Sequence, residues 1–449
     1  MQKRTTATAL ALAASVLLTA ALPAQAKAGS PGFYGTKTTY APQQDLRTYE
    51  QAPEGFAPVF TETVSRHGSR AASDSEDGDL ILALWEKARS EGQLTRTGEG
   101  FGSEVRSLLA AMDRIGYGQL GGRGEREMRD TAARLRQRLP GLFSKIVDDS
   151  ERIDVVDSGK DRAVDSGTLF AEALAEGDPA VGPLISPART DPDLLYFHKS
   201  AGGEEYRDYV ENDERLAATL DAIIEQPATH TAARGVLKKI FKPAFVKRVS
   251  AGEFASIGTE VEAAQAVHAL YAIAPAMADE GAWNMKRYIA PRDARWFAYL
   301  GDAEDFYEKG PGFTGSDITY KMAGVLLDDF FEKIEAKRAG TSDVGAELRF
   351  THAEEIIPLA ALMGLPGSTK QVSPARPFTY AGNPWRGSSV APMAANIQWD
   401  LFRKGNRYLV RMLYNEKQTA FKQGCEPVAK GSYFYDVDEL ERCFDRTTP

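Results

Sequence analysis

Three short apolar runs in this chain end alike, each giving way to a turn with a basic or imidazole side chain and then to a helix-like segment. The first, Ala57-Pro58-Val59-Phe60, leads into Ser65-Arg66-His67-Gly68-Ser69-Arg70. The second, residues 153–156, ends in Asp157-Ser158-Gly159-Lys160-Asp161-Arg162, with helical periodicity over 163–175. The third, Leu348-Arg349-Phe350, passes through Thr351-His352-Ala353-Glu354 into a helix expected over 355–363. Such alternation predicts an α/β sheet with parallel strands. In open sheets of that kind, ligands bind beyond the carboxyl ends of the strands. Helix N-termini there offer unpaired N–H groups and a favourable dipole to an anion. The three basic turns are therefore expected to converge on one phosphate-sized site.

The rest of the pattern places those turns. Residues 32–58, rich in Thr, Tyr, Pro and Gln, read as an irregular arm into the first strand. Helical periodicity runs over 79–89, 98–115 and 125–138, the last ended by Pro140. From about 179 to 290 Ala-rich helical segments such as 215–225 and 260–274 replace the alternation, with no clear strand. The α/β pattern then returns, with 408–413 as a further strand candidate. The expectation is an α/β core in two parts, 27–178 and 291–449, with a mostly parallel central sheet flanked by helices. A helical insertion, or cap domain, is expected over 179–290.

At the start of the chain, Lys3 and Arg4 precede an apolar run over 7–22, and Ala24-Gln25-Ala26 suits small-residue cleavage. Residues 1–26 are read as a signal peptide and the protein as secreted. No cysteine follows the run, which argues against a lipid anchor, and no later segment is apolar enough for a membrane span. Export allows Cys425 and Cys443, the only two cysteines, to form a disulfide worth roughly 3 kcal/mol by loop entropy; two buried free thiols are the alternative. Two cysteines and five histidines make a structural zinc site a poor fit, and no metal or cofactor is expected. The net charge of −9 becomes −11 when Lys3 and Arg4 leave with the leader, which disfavours nucleic acid as a partner. A small polyanion can still bind a local basic pocket, because nearby charges set the field. The protein is expected to act as a monomer.

Each turn has an ordinary reading by itself: an exposed basic loop at 66–70, a surface salt bridge for Arg162, a helix cap for His352 and a first-turn charge for Glu354. Together they suit phosphate chemistry. Arg66 and Arg70 offer planar donors matched to phosphate and never deprotonate. Gly68 lets the backbone approach a ligand, and His67 between two guanidiniums can attack phosphorus.

Arg66-His67-Gly68-Ser69-Arg70 with a distant His352-Ala353-Glu354 resembles the histidine acid phosphatase superfamily. The His-Ala-Glu form resembles its multiple inositol polyphosphate phosphatase branch, a group of phytases. Gly35-Thr36-Lys37-Thr38-Thr39-Tyr40, Gly118-Gln119-Leu120 through Arg129, Tyr299-Leu300-Gly301-Asp302 through Gly312 and Ala391 through Asn396 resemble further segments of that branch. Arg411-Met412-Leu413-Tyr414-Asn415-Glu416, leading to Cys425, resembles its C-terminal strand and cysteine. The resemblance implies the histidine phosphatase fold, with His67 as nucleophile and Glu354 as proton donor. Arg66, Arg70, Arg162 and His352 would hold the phosphoryl oxygens, without a metal. It also implies an inositol polyphosphate such as phytate as substrate, with mildly acidic activity while Glu354 is partly protonated. Lys37 is a candidate substrate contact; Lys286, Arg287, Arg292 and the insertion's Lys238, Lys239, Lys242, Lys247 and Arg248 are weaker ones. His198, His230 and His268 match no motif and are expected to be structural or on the surface. The family turn usually carries a proline where this chain has Ala72, which leaves the stiffness of the loop open. Two other functions remain beside the phytase: a broad-specificity acid or sugar phosphatase, and a non-catalytic phosphate-binding protein.

Overall fold

The computed structural model describes residues 32–446, so the expected signal peptide lies outside the described residues. Eight strands form one sheet: β1 Ala57–Arg66, β2 Arg152–Asp157, β3 Arg189–Thr190, β4 Val344–Thr351, β5 Asn396–Lys404, β6 Arg407–Tyr414, β7 Lys417–Gln418 and β8 Phe434–Asp436. Their order is β3-β2-β4-β1-β5-β6-β7, with β8 also on β6. Pairing is parallel from β3 to β1 and antiparallel from β1 onward. The α/β class is as expected, and the expected parallel pairing occupies the half built around β4. β5 has no counterpart in the sequence reading. It alternates Ile397, Trp399 and Leu401 with Asn396, Gln398 and Asp400, yet both sets are buried, because Asp400 is held by Arg138 and Arg411 at 2.9 Å each.

All eight residues of β4 are buried, as a central strand covered on both faces requires. Ala346, Leu348 and Phe350 pack under the helices Gly122–Arg138, Pro140–Asp149 and Asp161–Gly177. The Asp161–Gly177 helix crosses closely at Gly167, where a Cβ would sit 3.0 Å from the Phe350 ring. Helices Gly324–Arg338 and Ala353–Leu362 cover the opposite face. There Arg349, with no exposed surface, donates to Glu62 of β1 at 3.0 Å and to Asp329 at 2.7 Å.

The 179–290 stretch is helical apart from β3, whose two residues extend the sheet beside β2. Its helices start where local chemistry dictates. Pro227–Ile240 and Pro243–Ser250 open on proline, which lacks the N–H a first turn cannot use. Glu260–Ile273 opens on a capping box between Thr259 and Glu262. That last helix packs against both Pro227–Ile240 and Glu76–Ser90, and Pro291–Glu308 joins the same layer. No helix among the described residues is long and apolar enough to cross a membrane.

Cys425 and Cys443 form a disulfide that ties the last helix, Val437–Cys443, to the segment after β7. The 18-residue separation predicts that reduction lowers the unfolding free energy by about 3 kcal/mol. Denaturant unfolding with and without reductant checks this, and a difference below about 1 kcal/mol would contradict the loop-closure account.

Candidate active site

The strand register assembles the site. In parallel pairing Arg66, the last residue of β1, lies opposite Thr351, and Asp157, the last of β2, lies opposite Phe350. The ladder runs one residue further: His67 N–H donates to the Thr351 carbonyl at 2.9 Å, and Ser158 N–H to the Phe350 carbonyl at 3.2 Å. His67, His352 and Ser158 thus leave three neighbouring strands at one level, with the two imidazole centroids 5.5 Å apart. Three helices begin beside them, and their N-cap residues His352, Lys160 and Gly121 make no side-chain capping bond. Their first-turn N–H groups make this edge of the sheet electropositive.

The loop after β1 is held rigidly. A Cβ on Gly68 would lie 2.5 Å from the Gly124 carbonyl oxygen, and one on Gly124 would lie 2.1 Å from the Ser69 carbonyl oxygen. Only two facing glycines allow that approach. Buried Glu127, one turn along the same helix, accepts from Ser69 N–H (2.7 Å), Ser69 Oγ (2.9 Å) and Tyr40 N–H (2.9 Å). Backbone bonds from Ala71 to Gln119 (3.0 Å), Gly118 to Ala72 (2.7 Å) and Gly121 to Ser69 (3.1 Å) pin the loop further. These contacts answer the question raised by Ala72: stiffness comes from pairing with residues 118–121. The Ala72 N–H meets only the Met112 sulfur, at 3.4 Å.

The pocket is lined by cations with unmet valence. Arg66 is 3 % exposed and spends Nη1 on the carbonyls of Thr36 and Ala391, both at 2.6 Å. Its Nε, the Nε atoms of Arg70 and Arg162, and Nδ1 of His352 are buried without a partner. Buried polar atoms without partners are costly unless a ligand satisfies them, and Arg66, Arg70, Arg162 and His352 all act electrostatically on His67. The Ser158 hydroxyl lies 2.8 Å from His352 Nε2. If it donates there, Nδ1 carries the proton and points a donor at the site. His67 Nδ1 lies 2.9 Å from the Gly68 carbonyl and must carry the proton there, which leaves Nε2 with a free lone pair.

Burial, then Arg66 and Arg70, push the His67 pKa well below its ordinary value, and burial with Arg162 pushes His352 down to about 3. Both imidazoles are neutral. Glu354 behaves differently from the sequence expectation. Burial opposes its ionisation, but Lys309, His198 and Arg66 together outweigh that and hold the carboxyl well below the usual carboxylate range. It is therefore ionised, not partly protonated, at mildly acidic pH.

All the expected residues of the three turns meet here, and Lys37 joins them. Its ammonium is pushed down to about 7 by burial, then by Arg70 and Arg66. Other candidate cations are engaged elsewhere: Arg248 with Glu91 and Glu253, Arg287 with Glu104, Arg292 with Asp293, and Lys242 with the Gly92 carbonyl. A cavity of about 690 Å³ adjoins Lys37 and Ala72, but its wall carries Asp74, Asp77, Asp221 and Asp305 and none of the catalytic candidates. His230 and His268 serve Glu260 and the Phe33 carbonyl, as structural histidines do. His198, expected to be structural or on the surface, is buried behind the site. It binds Glu355 at 2.5 Å and stacks edge-on against Tyr196, which also touches the His352 ring. Glu127 and Lys309 are the contributors missed from sequence; Ser158 stood in the second turn without an assigned role, and His198 is structural, as one of the two expectations for it had it. Glu127 and Lys309 lie inside family-like segments, and that placement was the only signal.

A family model described as the histidine phosphatase superfamily, branch 2, matches residues 60–415. The multiple inositol polyphosphate phosphatase 1 of Gallus gallus is 23 % identical over 94 % of this chain and 93 % of its own length. The Homo sapiens protein of the same name is 24 % identical, over 92 % and 87 %. A crystal structure of Bifidobacterium longum multiple inositol polyphosphate phosphatase in complex with inositol hexasulfate superposes with a TM-score of 0.87. That chain is 32 % identical, and the match covers 93 % of this chain and 99 % of that one.

The facing glycines generate a prediction. Gly124→Ala should leave the far-ultraviolet circular dichroism unchanged while weakening affinity for inorganic phosphate by at least about tenfold, read by titration calorimetry. Unchanged affinity would mean that this contact does not shape the loop.

Proposed function

The chain belongs to branch 2 of the histidine phosphatase superfamily and is a phosphatase, and from that premise we propose that it hydrolyses inositol polyphosphates through a phosphohistidine intermediate. The observation that carries the reading is the ring of orphaned donors, Arg66 Nε, Arg70 Nε, Arg162 Nε and His352 Nδ1, around a neutral imidazole with a free Nε2. A phosphoryl group bound there has its oxygens satisfied and its phosphorus facing His67.

Nε2 of His67 attacks phosphorus in line, the bond to the substrate oxygen breaks, and a proton from Glu354 goes to the departing alkoxide. The three arginines stabilise the charge of the transferring group, and the Gly68 carbonyl stabilises the proton left on Nδ1. Water then attacks the phosphohistidine and gives its proton to the Glu354 carboxylate, which releases phosphate and restores His67. Glu354 gains its first proton once the bound phosphate has offset the cations around it, since opposite charges cancel in their effect on a carboxyl pKa. Lys37 is read as a contact for a second phosphate, because its ammonium has no side-chain partner among the described residues and an adjacent anion would favour its charged form. The 179–290 segment is read as the cap domain that shapes specificity, and export is supported by the leader-like residues 1–26 and the disulfide.

His67→Ala should lower phytate turnover by at least about 10³-fold while still binding inositol hexasulfate. Rapid-quench trapping of a phosphoenzyme in the parent and its absence in the variant tests the intermediate, and surviving turnover would remove His67 from the role. Because the pKa of His67 is held down, the side chain stays neutral as pH falls through the range where free imidazole charges. The acid limb of kcat/KM for phytate should therefore lie below the ordinary histidine range. A limb centred on the ordinary value would contradict the burial argument.

A further inference from the structure

We propose that Lys309 is a positioning residue for Glu354, fixing its carboxylate and coupling it through Asp305 and Thr36 to the phosphate-binding Arg66. The inference rests on the reading of Glu354 as proton donor.

Lys309 caps the C-terminus of the Pro291–Glu308 helix. The chain turns sharply after it: Gly310 N–H donates back to the Asp305 carbonyl at 2.9 Å, and Gly312 has φ +62°. The turn sends the lysine inward, leaving its side chain 15 % exposed. Its Nζ lies 2.9 Å from Asp305 Oδ1, 3.7 Å from Glu354 Oε1 and 3.9 Å from Glu308 Oε2. Asp305 Oδ2 accepts from Thr36 Oγ1 at 3.3 Å, and the Thr36 carbonyl accepts from Arg66 Nη1 at 2.6 Å. One ion pair and hydrogen bonds to the hydroxyl and carbonyl of Thr36 thus link, residue by residue, the carboxylate that would move the proton to a guanidinium that would hold the phosphate.

Glu354 needs such a hold. Its side chain is 34 % exposed and, among the described residues, Lys309 is its one ion-pair partner. The separation of 3.7 Å orients the carboxylate without the tight hydrogen bond that would trap it. The other cationic groups and imidazoles facing Glu354 are Arg66, Arg70, Lys37, His198 and His352. Glu308, Glu355 and the phenols of Tyr196 and Tyr206 face it with the opposite sign or none. A bound phosphate offsets the charges of Arg66 and Arg70, which together with the neutral His352 would be its ligands. Lys309 stays with Asp305 and Glu308, so its charge and reach continue to act on Glu354 in the loaded site.

The test compares Lys309→Met and Lys309→Arg on two substrates, inositol hexakisphosphate and p-nitrophenyl phosphate, whose phenolate leaves with little need of a proton. In Lys309→Met the alkaline limb of kcat for inositol hexakisphosphate should move up by about one pH unit, because a cation that favours the carboxylate is gone. The rate of phosphoenzyme formation by rapid quench, which leaves out the dephosphorylation step common to both substrates, should fall by at least about tenfold with inositol hexakisphosphate and change less than about twofold with p-nitrophenyl phosphate. Lys309→Arg should keep the parental profile, whereas Asp305→Asn, which removes the anion that balances the lysine, should move the limb down while again costing more on inositol hexakisphosphate than on p-nitrophenyl phosphate. An unmoved limb, or equal loss on both substrates, overturns the inference; if Lys309→Met does not fold, Asp305→Asn decides by the same criteria. Glu354→Gln separates the two levels: equal loss of phosphoenzyme formation on both substrates there removes the proton-donor reading and this inference with it. Selective loss in Glu354→Gln with an unmoved limb in Lys309→Met overturns the role of Lys309 alone.

Discussion

The parallel register of β2, β4 and β1 is the constraint on which the site depends. Because Asp157 and Arg66 face Phe350 and Thr351, the three strands stop within a residue of one another. The residues that leave them, Ser158, His67 and His352, meet without any long loop having to find its place. A slip of one residue would turn every side chain of β4 to the opposite face. It would bury Glu347 and Arg349 among Ala346, Leu348 and Phe350's partners and move His352 off the pocket. The apolar helices on one face and the Arg349 ion cluster on the other therefore guard the register, and through it the site.

Gathering guanidiniums, imidazoles and uncapped helix starts at one edge costs stability, since buried donors without partners and like charges in proximity both disfavour the folded state. The fold offsets this one layer out. Backbone carbonyls of Thr36 and Ala391 take part of Arg66, Glu127 holds the loop that carries His67, and Asp305 and Glu355 balance Lys309 and His198. Carboxylates thus pair with the residues one layer behind Arg66, Arg70, Arg162 and His352. The arrangement leaves the innermost cations for an anion while keeping the charged layer behind them paired. The acidic cavity beside Lys37 belongs to the same outer layer.

Much of this was legible before any coordinates. The three strand–turn–helix junctions predicted the α/β class, and their basic turns named His67, Arg66, Arg70, Arg162, His352 and Glu354 as a set. Periodicity also placed helical segments at 215–225 and 260–274, whereas the Thr259–Glu262 box and the prolines at 227, 243 and 291 that start helices were local signals the sequence reading did not use. β5 was not legible as a strand, because its polar alternates are buried by partners such as Arg138 that sit more than two hundred residues away. His198 and Lys309 were opaque for the same reason. A lone histidine in a helical stretch and a lysine after an acidic helix look like surface residues until the fold brings Glu355 and Glu354 to them.

The sequence by itself determined which residue types stand at the strand ends, and so the chemistry this edge of the sheet can do. Residue identity and local pattern carry that, because a strand end, a basic turn and a helix start are all set by near neighbours. The tertiary structure alone decided how those groups are tuned. The fold favours the carboxylate form of Glu354 where the family resemblance implied a partly protonated acid, because Lys309, His198 and Arg66 approach it from three separate parts of the chain. Charge acts across space and not along the chain, so protonation state was the property least visible in sequence.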